Sequence, residues 1–247
     1  MIYILLPCYN EYKNLTIIVE KINKLTIKNS YKIKLIIVND GSTDETDIKI
    51  NQLNKKSKFP ILYIKHKKNL GLNMTLFTGF EKFLKIGKKD DIIISLDSDN
   101  THPISLIPKI INPIKKKEYD VVIASRFQKG SNVKGLNLFR KILSEGARFI
   151  YKISFSIPNV EDYTCNFRGY SFNILKNSKL IKKKFFIGKD FSVVADLLIN
   201  LANRFSKIRI KEVPLKLRYD FKIGDSKLKV SRNIFKTLLV ILRNLIN

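Results

Sequence analysis

Apolar and polar positions alternate along the first half of the chain in two different rhythms. Short apolar runs occur as IYILLP, KLIIVND, ILYIKH, IIISLD and YDVVIAS. Between them lie longer segments with apolar residues at helical spacing, beginning near Tyr12, after Thr43, near Leu72 and after Pro103. The short runs predict buried strands and the longer segments predict amphipathic helices. This alternation is typical of βαβ units, so we predict an α/β fold with a mostly parallel central sheet covered by helices on both faces.

The second half of the chain has a different pattern. It predicts a long amphipathic helix over 136–157, a polar segment around EDYTCNFRGYS, a helix near 190–204 and a strand in KIRIKEVPLKLRY. There is neither a repeat nor a low-complexity linker, so this half is expected to pack onto the same sheet. We therefore predict one domain over 1–228, followed by a C-terminal amphipathic helix over 229–247.

Composition makes nucleic acid the first partner to consider. The chain has 247 residues and a net charge of +26, from 47 Lys and Arg against 21 Asp and Glu. However, 38 of the cations are Lys and only 9 are Arg, and they are spread along the whole chain. A Lys-rich solvated surface explains this distribution better than a nucleic-acid-binding face. An anionic membrane surface or an anionic substrate is a reasonable partner.

The lack of a recognisable targeting signal and the small number of cysteines lead us to expect a cytosolic protein. No apolar run approaches the roughly 20 residues that span a bilayer. The N-terminus, MIYILLPCYNE, lacks the basic start and the small-residue cleavage site of a signal peptide. Cys8 and Cys165 are too few for a disulfide framework, so we expect both to be buried thiols.

Polar residues follow the carboxyl ends of four predicted strands. Parallel strands of one sheet end at the same edge, where ligands of open α/β sheets bind. We therefore expect these strand ends to converge on one crevice. The residues are Pro7, Tyr9 and Glu11 after the first strand, Asp40, Gly41 and Ser42 after the second, Asp97 and Asp99 after the fourth, and Ser125 and Arg126 after the fifth.

Asp97 and Asp99 close one of the most apolar strands, in the stretch IIISLDSDNTHP. Residues two apart on an extended chain point to the same side, so both carboxylates can face one spot. Adjacent carboxylates repel each other unless a cation lies between them. Oxygen-only ligation favours Mg²⁺ or Mn²⁺, which complete their coordination with water and substrate phosphates. A polar turn built from Asp, Ser and Asn is the structural alternative.

Short motifs strengthen the functional interpretation when they are taken together. LPCYNE, VNDGSTDET, NLGLNMTLFTGF, LDSDNTHP, VIASRF, NFRGYS, EVPL and GDSKL follow one another along the chain. Their order and spacing resemble the family 2 glycosyltransferases of the GT-A fold, most closely the polyprenyl-phosphate (dolichyl-phosphate) mannose and glucose synthases. The resemblance extends from Ile2 to about Leu239. It implies a single Rossmann-like GT-A domain and an enzyme that uses a nucleotide sugar.

The resemblance also implies roles for individual residues. The donor's metal and diphosphate would be held by Asp97 and Asp99, and Arg126, Arg140 and Ser144 fall where these enzymes bind the acceptor's phosphate. A metal at this point would stabilise the negative charge that concentrates on the leaving diphosphate. Asp97, Asp99, Arg126 and Arg140 are thus the candidate catalytic residues, and Pro7, Tyr9, Glu11 and Asp40 would bind the base and ribose.

Three positions depart from the pattern of the family. The Arg expected three residues before Gly224 is Phe221, which leaves the diphosphate contacts to cations of the same region. Thr101 replaces a Gln that often supplies a metal ligand, and Asn39 replaces an acidic residue before Asp40. The cations that would take over the diphosphate contacts are Arg218, Lys222 and Lys227.

The leading hypothesis is a metal-dependent, inverting transferase that moves a hexose from GDP or UDP to a polyprenyl phosphate at the cytosolic membrane face. A transferase acting on a glycan hydroxyl is the first alternative, and a Lys-rich nucleic-acid-binding protein is an alternative of another class. A hydroxyl acceptor needs an Asp or Glu as general base, whereas a phosphate is already ionised. The carboxylates of the second half include Glu161, Asp162, Asp190 and Asp196, for which turn capping and helix polarity are equally good explanations.

The C-terminal segment from Lys229 has an apolar face formed by Val230, Ile234, Leu238, Ile241 and Leu245. A helix of this kind can lie in a membrane interface, because its Lys and Arg residues attract anionic lipid. It can equally pack its apolar face on the core of the protein. The sequence leaves both possibilities open, together with a membrane-embedded partner protein.

Overall fold

The computed structural model describes residues 1–186 and 192–221, and within these ranges the chain forms a seven-stranded central sheet. A second, two-stranded sheet lies beside it. The central strands are β1 (Ile2–Cys8), β2 (Ile33–Asn39), β3 (Ile61–Lys65), β4 (Ile92–Ser95), β5 (Val121–Ser125), β7 (Arg168–Ser171) and β8 (Ile210–Pro214), and the small sheet consists of β6 (Asn132–Lys134) and β9 (Lys216–Arg218).

The order of the central sheet is β3-β2-β1-β4-β7-β5-β8. Its strands pair in parallel except at β7, which is antiparallel to both β4 and β5. Ile2 of β1 is in register with Ile33 of β2 and with Ile92 of β4. The predicted mostly parallel sheet is thus confirmed, and the carboxyl ends of β1, β2 and β4 lie side by side.

Helices cover both faces of the sheet, as the sequence predicts, because residues of β1 alternate between two cores. The helices are α1 (Tyr12–Asn29), α2 (Thr46–Lys56), α3 (Leu72–Ile86), α4 (Ile107–Lys115), α5 (Leu138–Phe155), α6 (Phe172–Ser178), α7 (Lys183–Phe186) and α8 (Val193–Arg204). Ile4 and Leu6 belong to the core under α1, α2 and α4. Tyr3 and Leu5 belong to the core under α3 and α8.

The segment EDYTCNFRGYS was predicted only as a polar segment, with no strand, and its last four residues form β7. Two features hide this strand from an apolar pattern. Arg168 is fully buried, and its guanidinium donates to the carbonyls of Val194 and Asp162. A Cβ on Gly169 would lie only 2.5 Å from Ile110 Cγ2, so a small residue is needed where α4 crosses the strand.

The single strand expected in KIRIKEVPLKLRY is also wrong, because the segment divides into β8 and β9. At the division, Leu215 donates its N–H to Ser125 O and accepts from the N–H of Asn132. The chain thereby leaves β5 and joins β6, and its next residues, Tyr219–Phe221, form a short 3₁₀ turn. This turn returns to the carboxyl edge of the sheet.

The long amphipathic stretch is confirmed as α5, although the helix is exposed over most of its length. In the described ranges no helix is both long enough and apolar enough to cross a membrane. The predicted helix over 229–247 and the domain boundary at residue 228 lie outside the described residues.

Candidate active site

Two loops at the carboxyl edge, β1–α1 and β2–α2, are joined by hydrogen bonds around Asn10. This residue has a left-handed backbone with φ 54°. Its N–H donates to Ser42 Oγ, and its Oδ1 accepts from Thr43 N, both at 2.9 Å. The bonds hold the half-buried Tyr9 and Glu11, which flank Asn10, at the carboxyl edge of the sheet.

Asp40 follows β2 and holds the β3–α3 loop. Its carboxylate accepts from Leu70 N at 2.9 Å, from Gly71 N at 2.7 Å and from His66 Nδ1 at 2.7 Å. The other nitrogen of His66 lies 2.9 Å from Thr78 Oγ1 on α3. Only 3% of Asp40 is exposed. In the structure, Asp40 holds the β3–α3 loop in place. The sequence led us to expect only a contact with the nucleotide.

Asp97 and Asp99 follow β4 in a loop whose side chains alternate between buried and accessible. Ser98 and Asn100 are buried, whereas Asp97 and Asp99 are half-exposed. Ser98 Oγ donates to the carbonyl of Pro7 at 2.7 Å, which fastens the loop to the end of β1. Both carboxylates thus lie on the accessible side of the loop, as the spacing predicts.

Neighbouring polar groups orient both carboxylates. Asn166 Nδ2 donates to Asp97 Oδ1 at 3.0 Å. Thr101 donates its hydroxyl to Asp99 Oδ1 at 2.7 Å and its N–H to the same oxygen at 3.2 Å. Thr101, which stands where a metal-ligating Gln is common, therefore positions a carboxylate.

Tyr219 lies in the 3₁₀ turn, and the charges of several candidate residues act on it. Burial raises the pKa of its hydroxyl, Arg126 acts against this increase, and the charges of Asp97 and Asp99 add to it. Arg218, the residue before it, donates its N–H to the carbonyl of Thr101 at 3.1 Å. The turn therefore lies beside the loop that carries Asp97 and Asp99.

The two carboxylates fit a hard divalent cation. Asp97 and Asp99 would supply oxygen ligands, and the hydroxyl of Thr101 beside Asp99 is a further oxygen atom. Within residues 1–186 and 192–221, no group of three or more His, Cys, Asp or Glu side chains has the geometry of a metal site. A two-carboxylate site suits Mg²⁺ or Mn²⁺, which take their other ligands from water and substrate phosphates.

Arg126 follows β5 and is held by Asp162. Its Nε and Nη2 donate to the two oxygens of this carboxylate at 2.8 and 2.7 Å, and Nη2 also donates to Thr164 Oγ1. Asp162 is fully buried and also accepts from the N–H groups of Arg126, Thr164 and Cys165. Burial alone would raise the pKa of Asp162, but the charge of Arg126 and these bonds outweigh it and lower the pKa to about 2.

Arg140 and Ser144 lie one turn apart on α5, and both are half-buried. The N–H of Arg140 donates to the side chain of Asn137, which caps the helix. Tyr151, two turns further along the same side of the helix, is buried against Tyr163. Arg140 and Ser144 therefore lie on the side of α5 that faces the protein.

Arg218 has partners other than a diphosphate. Its Nε and Nη2 donate to the carboxylate of Asp220 at 2.7 Å each, and its guanidinium lies 3.8 Å from the centroid of the Phe221 ring. It lines a cavity of about 350 Å³ together with Lys21 and His102. Lys222 and Lys227, the other two expected diphosphate ligands, lie outside the described residues.

A family model described as glycosyl transferase family 2 matches residues 3–178, more than half of the chain. The chain belongs to glycosyl transferase family 2. This membership confirms the resemblance carried by the motifs.

Two curated relatives have dolichol phosphate or dolichyl phosphate in their names. The chain is 30% identical over 241 residues to a dolichol-phosphate mannosyltransferase from Pyrococcus furiosus. It is 28% identical over 232 residues to a UDP-N-acetylglucosamine–dolichyl-phosphate N-acetylglucosaminyltransferase from Methanococcus voltae. These alignments cover 97% and 89% of this chain, and 62% and 86% of the two relatives.

A solved structure confirms the fold expected of a family 2 member. Glucosyl-3-phosphoglycerate synthase from Mycobacterium tuberculosis, crystallised with Mn²⁺, UDP and phosphoglyceric acid, superimposes with a TM-score of 0.68 at 16% identity. The superposition covers 99% of this chain and 78% of that protein. The GT-A architecture is thus shared almost throughout.

Sequence reasoning missed several residues of this family 2 site. Asn166 lies in the quoted motif NFRGYS, whereas no local signal shows that the charges of Asp97 and Asp99 act on Tyr219. The loop-joining role of Asn10 could have been suspected from its place in LPCYNE, because Asn tolerates a left-handed backbone. The pairing of Arg126 with Asp162 spans 36 positions and is invisible in the sequence pattern.

Proposed function

We propose that this family 2 chain transfers a hexose, with inversion, from a GDP- or UDP-sugar to a polyprenyl phosphate at the cytosolic face of a membrane. The observation that carries the proposal is the half-exposed pair Asp97 and Asp99 at the carboxyl edge. The names of the two lipid-linked relatives support the choice of acceptor.

Asp97 and Asp99 would hold a Mg²⁺ or Mn²⁺ ion, which supplies stabilisation of the charge that develops on the leaving diphosphate. Pro7, Tyr9 and Glu11 would contact the base and ribose. Asp40 would contribute by keeping the neighbouring loop in place as well as through a direct contact.

A phosphate acceptor needs cations and hydroxyl groups rather than a base. Arg140 and Ser144 would bind its oxygens, since a guanidinium forms charge-assisted bonds with phosphate. Nε and Nη2 of Arg126 are engaged by Asp162, so a contact between Arg126 and the acceptor would fall to Nη1. An anionic membrane surface or a membrane-embedded protein would present the lipid.

The glycan alternative has less support in the second half of the chain. Asp162 is fully buried, has a pKa of about 2 and accepts five hydrogen bonds from described donors, a poor state for a general base. Asp196 is fully buried in α8, and Asp190 lies outside the described residues. Glu161 is paired with Arg148 and Lys152.

The test is a transfer assay with a panel of GDP- and UDP-hexoses and a short-chain polyprenyl phosphate, with and without EDTA. We expect a glycolipid product that needs Mg²⁺ or Mn²⁺. Transfer to free sugar hydroxyls instead would favour the glycan alternative. Metal-independent, salt-sensitive RNA binding without transfer would favour the nucleic-acid alternative.

Arg140→Ala tests the acceptor site directly. Loss of a charge-assisted bond of about 1.5 to 3 kcal/mol should lower transfer at least tenfold, roughly as this free energy predicts. Binding of the donor should hardly change. Lys141→Ala, an exposed neighbour on the same helix, is the control and should leave transfer unchanged. An equal loss in both variants would remove Arg140 from the acceptor site.

A further inference from the structure

Helix α5 carries a concentration of exposed apolar side chains. Eleven large apolar side chains are exposed in the described ranges, and six of them belong to α5. The other five are single residues on separate elements, as is usual for soluble proteins. The six are Leu138, Phe139, Ile142, Phe149, Ile150 and Ile153, with exposed fractions between 40% and 73%.

These side chains lie on one side of the helix. With about 100° between successive residues, all six fall within an arc of about 120°. Gly146 lies inside the same arc, and a Cβ placed on it would have no neighbour within 4 Å. Arg140, Ser144 and Tyr151 lie on the opposite side, toward the protein. The exposed arc is therefore continuous and unpartnered by the described residues.

Two side chains in the second half of α5 link the helix to the residues around Arg126. Arg148 forms an ion pair with Glu161 at 2.8 Å, and its guanidinium lies 4.8 Å from the centroid of the Phe127 ring. Arg126 lies against the same ring at 5.3 Å. Tyr151 stacks on Tyr163 with ring planes 10° apart. A surface that binds the outer arc of α5 would consequently have a set position relative to Arg126.

We propose that the outer arc of α5 binds the surface of an anionic lipid bilayer. The inference deepens the proposed function, on which its biological meaning rests, because it places a membrane next to the acceptor residues on the inner side of the helix. It also differs from the expectation that the segment 229–247 is the membrane-binding element.

Charge favours a bilayer over another occupant. α5 contains four cations, Arg140, Lys141, Arg148 and Lys152, against one acid, Glu145. The exposed Lys134 lies just before the helix, and the whole chain has a net charge of +26. A second copy of the chain would bring the same positive charge to the contact, whereas anionic lipid neutralises it.

The experiment measures sedimentation of the full chain with vesicles of phosphatidylglycerol and phosphatidylcholine in equal parts, without donor or acceptor. We expect the protein to bind these anionic vesicles, and we expect this binding to decrease as the salt concentration rises. Binding to vesicles of pure phosphatidylcholine should be at least about tenfold weaker. The double variant Ile142→Gln with Phe149→Gln should lower binding to the anionic vesicles at least tenfold, since Gln removes apolar surface but keeps a good helix former.

Two matched variants make the result specific. Ile27→Gln with Ile48→Gln removes two equally exposed apolar residues, 67% and 60% exposed, from α1 and α2, and should leave vesicle binding unchanged. Ile234→Gln with Leu238→Gln alters the C-terminal segment and should retain most of the binding. Unfolding midpoints of all variants identify any that fail to fold, and the single variant Ile153→Gln then replaces a failed α5 variant.

Three results would overturn the inference. They are equal vesicle binding by the α5 variants and the parent, loss of binding only in the C-terminal variant, and an oligomer in sedimentation velocity that the α5 variants dissolve without any effect on vesicles. Because no sugar transfer is measured, a failure here leaves the proposed function standing. Conversely, an inactive protein can still bind vesicles through α5.

Discussion

Asp162 and the pair Asp97 and Asp99 lie near the same edge of the sheet, but their surroundings are opposite. Asp162 is fully buried and accepts hydrogen bonds from three backbone N–H groups and from Nε and Nη2 of Arg126. Asp97 and Asp99 are half-exposed, and one oxygen of each is oriented by an amide or a hydroxyl. Asp40 resembles Asp162, since it is buried and bonded by two backbone N–H groups and His66.

The difference shows that Asp can have a structural role at one position of a site and a ligand-binding role at another. A buried carboxylate surrounded by donors fixes the backbone that supplies them. A half-exposed pair retains both charge and access, so it is suited to a cation. Burial and donors, rather than residue type, thus distinguish the two sets.

The largest expected effect is on stability. Asp162→Asn should lower the free energy of unfolding by about 3 to 5 kcal/mol, because it leaves Arg126 as an uncompensated, mostly buried charge. Urea denaturation measures the change. Glu161→Gln is the matched control, because it removes the partly exposed ion pairs with Arg148 and Lys152 and should cost only about 1 kcal/mol. Equal effects would break the distinction between the two regions.

The same carboxylate predicts a dependence on pH. Its folded pKa of about 2 lies below the roughly 3.9 of an unfolded Asp, so it stabilises the protein fully above pH 4 or so. That contribution should disappear as the pH falls from about 4 to about 2. Denaturation curves in this window should show a weaker decline for Asp162→Asn than for the parent.

Asp99→Asn should have its effect on turnover. Loss of a ligand charge at the leaving diphosphate should lower metal-dependent transfer roughly 100-fold or more, and Asp97→Asn somewhat less. The unfolding free energy should stay unchanged, because neither carboxylate is buried. Asp90→Asn, which alters an exposed pair with Lys117, is the control. Full activity in both site variants would exclude the metal site.

Asp40→Asn should have an intermediate effect on both properties. One oxygen becomes an NH₂ that faces Leu70 N or Gly71 N, so about 1 to 3 kcal/mol of stability should be lost. Affinity for GDP or UDP, measured by calorimetry, should also decrease as the loop loosens. If nucleotide affinity decreases while the free energy of unfolding stays the same, Asp40 binds the nucleotide and does not stabilise the loop.

Asn10→Ala should have the smallest effect. It removes the side-chain bond to Thr43 and places Ala in a left-handed conformation, at a cost of about 1 kcal/mol or slightly more. Nucleotide affinity should fall about fivefold to tenfold by the same arithmetic. Asn10→Gly is the informative companion, because it relieves the backbone strain and loses only the side-chain bond. Calorimetry on both separates the two contributions.

Much of the fold could be predicted from local patterns. The first five strands and the helices between them were expected within a few residues, because burial on a sheet or a helix imposes a period that is written in neighbouring residues. The alternation of burial around Asp97 and Asp99 follows from the same rule.

Only the tertiary structure decided which distant groups meet. β7 was missed because a buried Arg168 and the crowded Gly169 carry no apolar signal. Asp162 could have been a base, a cap or an ion-pair partner until Arg126 was found 36 positions away. The turn that carries Tyr219 lies beside the loop of Thr101 only because the chain leaves β8 for the small sheet. A carboxylate's ionisation depends on burial and on donors brought from elsewhere in the chain, whereas periodicity depends on neighbours alone.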